Sequence, residues 1–498
     1  MTNLTDSDLV IGVAGAGAMG AGIAQVAAIS GRTVLVFDSR PGAAAAAREG
    51  VLERFARRVA DGKADATALD MLARNLRAVS ELSALAPCGL VIEAIIEDVE
   101  AKRALFAELA GLVSADAVLA SNTSSIPIGM LAAKLPHPER VVGLHFFNPV
   151  PVMKLVEVIR TPDTANWVIE GLLALARAMG RTPVEVRDTP GFLVNFGGRA
   201  YTTEALAIVQ EKVASPAEVD AIMRDCCGFR MGPFELMDLT GMDVNYPVTA
   251  FVHQNHFADP RLRSTPQHRY LFDVGQLGRK TGRGFFDYRE GAVRPDGNAP
   301  IEAAPASAVV VPEPNAALDA LLAEIGVKML AKDDGRAPIL VALTGEDGSS
   351  FCARTGADHR RLVALDLAFD VTKRVTLMTP PQADPAVLAS VVALFADSRA
   401  VTVIADSAGF VAQRICGMVA NLGCEMAQIG LARPGDIDVA MQLGLNYPLG
   451  PLALADRMGT DVLFEVMSQL QRQSGDDRYR PSQWLRRRAQ LGLSALAE

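Results

Sequence analysis

Residues 143–158 read GLHFFNPVPVMKLVEV, an apolar run that holds one histidine and one glutamate. His145 and Glu157 stand twelve residues apart, with Pro149 and Pro151 between them. Proline continues neither a helix nor a central strand, so the chain turns there and returns. The return can bring an imidazole and a carboxylate together. Histidine titrates near neutrality and can take the proton of a reacting hydroxyl, typically worth about 10²–10⁴-fold. A carboxylate on its other ring nitrogen fixes the tautomer and stabilises the imidazolium. The same pair also suits a satisfied polar contact in a core, and its position in the fold decides between the two.

The elements that would position it begin at Leu9. A short apolar strand ends near Val13, and Gly15, Gly17 and Gly20 follow in GxGxxG spacing, with Ala18 and Met19 inside the motif. A helical pattern runs to about Ser30, Gly31 stops it, and Thr33–Phe37 is a second strand ending in Asp38. The first two glycines suit a tight turn and close approach of a pyrophosphate to backbone N–H groups. The third lets the helix pack on the strand, and the helix N-terminus favours the anion. Asp38 stands 21 residues after Gly17, where an acid accepts ribose hydroxyls. It would repel a 2′-phosphate, so NAD is expected over NADP; Arg40 is the residue that could accommodate one.

A helix around 42–60 and strands at Leu90–Ile95, Val118–Ala120 and Arg140–Phe146 continue the alternation. This predicts an α/β domain with a parallel sheet and helices on both faces. Ligands of such sheets sit outside the C-terminal strand ends. Glu93, Glu97, Ser121–Ser125 and His145 all fall at or just past such ends.

GAGAMG, SNTSS (121–125), the His145 run and DTPGFLVN (188–195) together resemble the L-3-hydroxyacyl-CoA dehydrogenases of fatty-acid-type β-oxidation, over about residues 9–288. The resemblance implies a Rossmann-type NAD domain (1–188), then an all-α domain (189–288) that completes the active site and often dimerises. It implies oxidation of a 3-hydroxyacyl-CoA, with NAD as cofactor and an acyl-CoA as partner. It makes His145 the base and Glu157 its partner, and places Ser124 and Asn195 on the substrate oxygen. Glu97, Lys102, Asn122, Asn148 and Lys280 match positions that contact NAD or the thioester region. Each has a plainer alternative. Ser124 could cap a helix starting near Pro127, Asn195 could begin a helix after Pro190–Gly191, and Lys280 could be an exposed loop lysine. Lys63, Arg57 and Arg58 lie on a basic helix–loop that could meet CoA phosphates or simply face solvent.

At 498 residues the chain is expected to hold roughly three or four domains. A net charge of −9 argues against a nucleic-acid binder. The six cysteines form no CxxC and no metal-ligand spacing, and read as reduced thiols of a cytoplasmic protein. The start MTNLTDSD is polar and acidic, so no signal peptide is expected. No apolar stretch reaches about 18 residues, so no membrane span is expected.

The helical domain recurs. DTPGFLVN at 188–195 returns as DSAGFVAQ at 406–413, an offset of 218 that also carries Asp220 to Asp438 and Gly232-Pro233 to Gly450-Pro451. Residues 289–310 read as a linker, 311–405 as a degenerate Rossmann-like domain without GxGxxG, and 406–498 as a second helical domain. Laying RRLVALDLAFDV (360–371) on ERVVGLHFFNPV (139–150) replaces His145 by Asp366. The same comparison puts Thr376 at Glu157 and Gln413 at Asn195. The double layout resembles stand-alone bacterial enzymes for short or dicarboxylic acyl-CoAs, such as 3-hydroxybutyryl-CoA and the 3-hydroxyadipyl-CoA of phenylacetate catabolism. The chain is expected to be a homodimer or a pseudo-dimeric monomer. Two other readings stand beside this one: a CoA-free hydroxy-acid or sugar-acid dehydrogenase on the same scaffold, and a nucleotide-binding protein without catalysis.

Overall fold

A computed structural model describes residues 2–498. The strand β1 (Ile11–Ala14) is buried at all four positions, as a strand covered on both faces must be. It lies within an eight-stranded sheet made with β2 (Val34–Phe37), β3 (Leu76–Ala78), β4 (Leu90–Glu93), β5 (Val118–Ser121), β6 (Val141–Phe146), β7 (Leu155–Arg160) and β8 (Thr182–Arg187), in the order β3-β2-β1-β4-β5-β6-β7-β8. The helices of this part are α1 (Ala18–Ile29), α2 (Ala43–Ala60), α3 (Ala66–Asn75), α4 (Val99–Leu112), α5 (Ile128–Ala132), α6 (Asn166–Ala178) and the short α7 (Val194–Gly197). Ile23, Ala24 and Ala27 of α1 and Val168 and Leu172 of α6 join Val13, Val36, Ile92, Val118, Leu144 and Val156 of the strands in one core. Burying each such branched side chain contributes roughly 1.5–3 kcal/mol relative to exposure.

The sheet is not wholly parallel, as the alternation had suggested. β6 and β7 pair antiparallel, because the proline turn folds the chain directly back, and β7 then pairs parallel with β8. The register sets His145 opposite Glu157 and Leu144 opposite Val158. Directly opposed residues share one face with their Cβ atoms about 4.5–5.5 Å apart. The turn thus delivers the pair that its sequence spacing had suggested.

The chain divides into two units: the first runs to Phe196 and adds Ile429–Leu445, and the second takes Gly197–Gln428 and Asn446–Glu498. The second unit begins with α8 (Arg199–Gln210), α9 (Pro216–Asp225), α10 (Pro233–Thr240), α11 (Met242–Asn255) and α12 (Pro266–Asp273). A six-stranded sheet follows, ordered β10-β9-β11-β12-β13-β14. Its strands are β9 (Ala308–Val310), β10 (Lys328–Leu330), β11 (Ile339–Ala342), β12 (Leu362–Leu365), β13 (Arg374–Thr379) and β14 (Ala400–Ala405), with α13 (Ala316–Ile325), α14 (Gly348–Thr355) and α15 (Pro385–Ala396) between them. The last helices are α16 (Val411–Gln428), α17 (Pro434–Leu445), α18 (Pro451–Met458), α19 (Thr460–Ser474) and α20 (Gln483–Leu491).

Two expected boundaries change. The stretch 289–310 is not linker to its end, because Ala308–Val310 is β9 and pairs with β10 and β11. Before it, the Gly297 carbonyl accepts from Thr402 Oγ1 at 2.8 Å, which ties this segment to the second sheet. The second helical copy is also not one block, since its α17 belongs with the first sheet. The Arg187 N–H donates to the Leu431 carbonyl at 2.9 Å, and in the second unit the Ala405 N–H donates to the Val213 carbonyl at 2.9 Å. Both donor and acceptor are displaced by the same 218 residues, so the two copies exchange equivalent segments. Within the second unit α8 packs on its counterpart α16. Phe229 and its counterpart Tyr447 meet edge to face, with ring centroids 5.3 Å apart.

The second sheet repeats the antiparallel step. Leu365 faces Leu377 across β12 and β13, and the Asp366 N–H donates to the Thr376 carbonyl at 3.1 Å. Asp366 and Thr376 therefore hold the register that His145 and Glu157 hold in the first sheet.

Candidate active site

The glycine turn lies between β1 and α1. Gly15 has φ +110°, and a Cβ on it would lie 2.4 Å from the Ala94 carbonyl oxygen. A Cβ on Gly20 would lie 1.8 Å from the Gly15 oxygen. Protein packing thus requires both glycines. Gly17 is different: a Cβ there meets nothing within 4 Å. Gly17 is the N-cap of α1, and no side chain caps the helix. The open space over uncapped N–H groups fits a pyrophosphate. A cleft of about 780 Å³ extends from here, lined among others by Gly17, Met19, Asp38, Ile95 and Leu105. Asp38 accepts from the Ala16 N–H at 2.8 Å and pairs with Arg40 at 3.0 Å. The Arg40 guanidinium holds its carboxyl down at about 2, against the opposing effect of burial.

The corresponding turn of the second sheet is closed. Asn315 caps α13 and accepts from the Ala317 and Leu318 N–H groups at 3.1 and 3.0 Å. A side chain takes the donors that a pyrophosphate would use, in accord with the missing glycine motif.

At the far end of the first sheet, His145 is 6% exposed and Glu157 is 1% exposed. His145 Nδ1 lies 2.6 Å from Glu157 Oε2. Glu157 Oε1 accepts from the Leu193 and Val194 N–H groups at 3.1 and 2.9 Å, at the start of α7. With Nδ1–H on the carboxylate, Nε2 carries the lone pair that can take a proton. Phe147 packs on the imidazole with centroids 4.4 Å apart.

Ser124 follows β5. Its N–H donates to Glu97 Oε1 at 3.0 Å, its hydroxyl lies 3.3 Å from the same atom, and Asn195 Nδ2 donates to its carbonyl at 3.1 Å. Of the two plainer alternatives, the one for Ser124 fails, whereas Asn195 does stand at the start of a helix, as the second residue of α7. Asp188 accepts from the Ile128 and Gly129 N–H groups and caps α5 instead of Ser124. Glu157, not Asn195, takes the N–H groups at the start of α7. Asn122 Oδ1 accepts from the Phe146 N–H at 2.8 Å and so fixes the strand next to His145.

Lys102, expected to contact NAD or the thioester region, is engaged by two carboxyl groups of the protein. It is 1% exposed, and its ammonium lies 2.6 Å from Glu93 and 3.2 Å from Glu97. Burial pushes the Glu97 carboxyl up, but Thr123, Lys102 and the Ser124 N–H outweigh it and hold the group below the ordinary range. Glu93 is the residue the spacing left without a role. Lys280 lies in the second unit, paired with Asp243 at 2.8 Å. Lys63 and Arg57 are exposed and pair locally with Asp61 and Glu53. Asn148 is exposed on the turn.

Residues 10–189 match the 3-hydroxyacyl-CoA dehydrogenase NAD binding domain, and residues 191–288 and 409–496 both match the C-terminal domain of the same enzymes. The chain belongs to the 3-hydroxyacyl-CoA dehydrogenase family. This 3-hydroxyacyl-CoA dehydrogenase is an NAD-dependent oxidoreductase. It is 39% identical over 487 residues to the 3-hydroxyadipyl-CoA dehydrogenase of Escherichia coli (strain K12), covering 97% of each chain. A solved 3-hydroxybutyryl-CoA dehydrogenase from Escherichia coli K12 is similar at 37% identity and a TM-score of 0.85, over 97% of this chain and 98% of that one. The probable 3-hydroxybutyryl-CoA dehydrogenase of Bacillus subtilis (strain 168) is 41% identical over 278 residues, 56% of this chain and 96% of its own. No helix among the described residues is long and apolar enough to cross a membrane.

Proposed function

We propose that this chain oxidises the 3-hydroxyl of a short 3-hydroxyacyl-CoA, mono- or dicarboxylic, with His145 Nε2 accepting the hydroxyl proton. The observation that carries the reading is the 2.6 Å contact of His145 Nδ1 with Glu157, near the C-terminal end of β6 in the sheet that also carries the glycine turn. Glu157 holds the tautomer and balances the imidazolium. Ser124 and Asn195 orient the substrate oxygen toward Nε2. Glu97 fixes Ser124, and Lys102 fixes Glu97. The space over Gly17 and the uncapped N-terminus of α1 would hold the pyrophosphate of NAD, with Asp38 on the ribose. Bound NAD supplies the hydride acceptor.

Names of similar full-length proteins divide between 3-hydroxyadipyl-CoA and 3-hydroxybutyryl-CoA, so both are candidate substrates. A steady-state series with 3-ketoacyl-CoAs of differing length and terminal charge ranks them. Turnover of free hydroxy acids without any on CoA thioesters would overturn the reading. The second half is proposed to stand in for a partner subunit, supported by the α8–α16 packing and the Phe229–Tyr447 contact. The expected species in light scattering is a monomer. All six cysteines are free thiols, which suits a reducing compartment, and the cytoplasm is the proposed location.

A further inference from the structure

Glu93 closes β4 with its side chain wholly buried. Its Oε1 accepts from Lys102 Nζ at 2.6 Å and from the Ile95 N–H at 2.7 Å, and its Oε2 accepts from Ser121 Oγ at 2.6 Å. Lys102 Nζ also lies 3.2 Å from Glu97 Oε2. Glu97 Oε1 in turn gathers the Thr123 hydroxyl at 2.6 Å, the Ser124 N–H at 3.0 Å and the Ser125 hydroxyl at 3.1 Å. One ammonium is thus shared by two carboxyl groups, and the cluster holds one more acid than base.

Holding β4, β5 and α4 together needs hydrogen bonds but no net charge. A neutral amide at position 93 would still accept from Lys102 and the Ile95 N–H, and the Ser121 hydroxyl can turn from donor to acceptor. What the second carboxylate adds is a field. Resting on the reading of His145 as base, the location of that field follows. On that reading His145 Nε2 would take the hydroxyl proton, and NAD, when bound, would accept the hydride released from the substrate C3–H bond. The reacting carbon would therefore be within reach of both His145 and the ring. Ser124 stands at that end of the strands, tied to both Glu97 and Asn195. The ring is cationic when oxidised and neutral when reduced.

We propose that Glu93 is a positioning residue that, with Lys102 and Glu97, makes a negative field favouring the oxidised over the reduced cofactor. Spent NADH then gives way more readily to NAD.

The test compares dissociation constants of the full chain for the two cofactor forms, by NADH fluorescence titration and by calorimetry with NAD. In Glu93→Gln the ratio of the NADH constant to the NAD constant should fall roughly tenfold, the order expected for one unit charge acting at short range in a protein-like dielectric. Glu93→Asp keeps the charge and should hold the ratio even where both affinities weaken. If Glu93→Gln does not fold, Lys102→Gln applies the test with the opposite sign, and the ratio should rise. A ratio unchanged in whichever neutralised variant folds overturns the proposal. Failure of the unaltered chain to bind NAD, measured first, would instead overturn the dehydrogenase reading.

Discussion

Gln413 Nε2 donates a 2.9 Å hydrogen bond to Asp366 Oδ1, joining the two residues that replace Asn195 and His145 in the second copy. Gln413 also donates to the Leu343 carbonyl and accepts from the Gly345 N–H, both at 2.9 Å. The duplicated core therefore closes without a histidine or its glutamate. That the fold can omit the pair in one copy and keep it in the other supports the proposal that His145 and Glu157 serve chemistry rather than packing.

Asp366 is buried, and burial raises its carboxyl to about 6, against the lowering effect of Gln413 and the Ala368 N–H. Its folded value lies above the unfolded one. The stability it contributes is therefore full below the unfolded value, near 4, and is lost as pH rises through about 6. Asp366→Asn keeps an oxygen for Gln413 and removes the ionisation. The variant should be more stable than the parent above pH 6, by up to about 2–3 kcal/mol. The two should converge toward pH 4. Urea unfolding across that range measures the difference, and parallel curves at all pH values would refute the assignment. Turnover should be unchanged.

Gly17→Ala separates ligand from packing. Gly17 has φ −68° and ψ −175°, which alanine adopts freely, and its Cβ meets no protein atom within 4 Å. The melting temperature should hold while NAD affinity falls roughly tenfold or more, because the methyl occupies the approach to the N–H groups. Gly20→Ala should do the reverse at the level of the fold, since its Cβ overlaps the Gly15 carbonyl. An alanine at 17 that costs stability but not affinity would put the cofactor elsewhere.

His145→Gln and Glu157→Gln should both lower kcat, the first by about 10²–10⁴-fold. NAD affinity should stay within about twofold in both, since neither side chain lines the glycine cleft. Glu157→Gln should also loosen the start of α7, because its Oε1 holds the Leu193 and Val194 N–H groups. Single-turnover rates with saturating NAD isolate the chemical step. Unaltered rates in His145→Gln would remove it from the mechanism.

What the sequence made legible was chemistry tied to short spacing. The glycine turn, Asp38 and the proline-separated His145 and Glu157 are set by local chain geometry, and their register follows from it. The burial of Lys102 was not legible, because it depends on how α4 lies against β4, which spacing does not encode. The strand Ala308–Val310 was hidden in a proline- and alanine-rich run whose three residues are too few to show alternation. The exchange of α17 was invisible for another reason: an offset of 218 reveals two copies but not which sheet each copy's helix covers.

Arg414 ties the second helical copy to the first through contacts that only the second copy supplies. Its guanidinium is buried and bonds Glu204 at 2.8 Å, Glu211 at 2.7 Å and the Tyr479 hydroxyl at 2.7 Å. Glu204, wholly buried on α8, also accepts from the Tyr479 hydroxyl at 2.9 Å. At the positions 218 residues away, Arg414 corresponds to Phe196 and Glu204 to Leu422. The ion pair is therefore one-sided, and two first copies would bury two glutamates without this cation. Removing one partner of a buried pair costs about 3–5 kcal/mol, while replacing both by apolar residues is often nearly neutral. Arg414→Leu should destabilise the second unit by that order, and Arg414→Leu with Glu204→Leu should recover part of the loss, the rest being held back by buried Arg478, which also pairs with Glu204 at 3.5 Å. The double substitution also leaves the pairing less selective, so a dimeric species should appear in light scattering. A double variant as unstable as the single one would show that Arg414 acts through Glu211 instead.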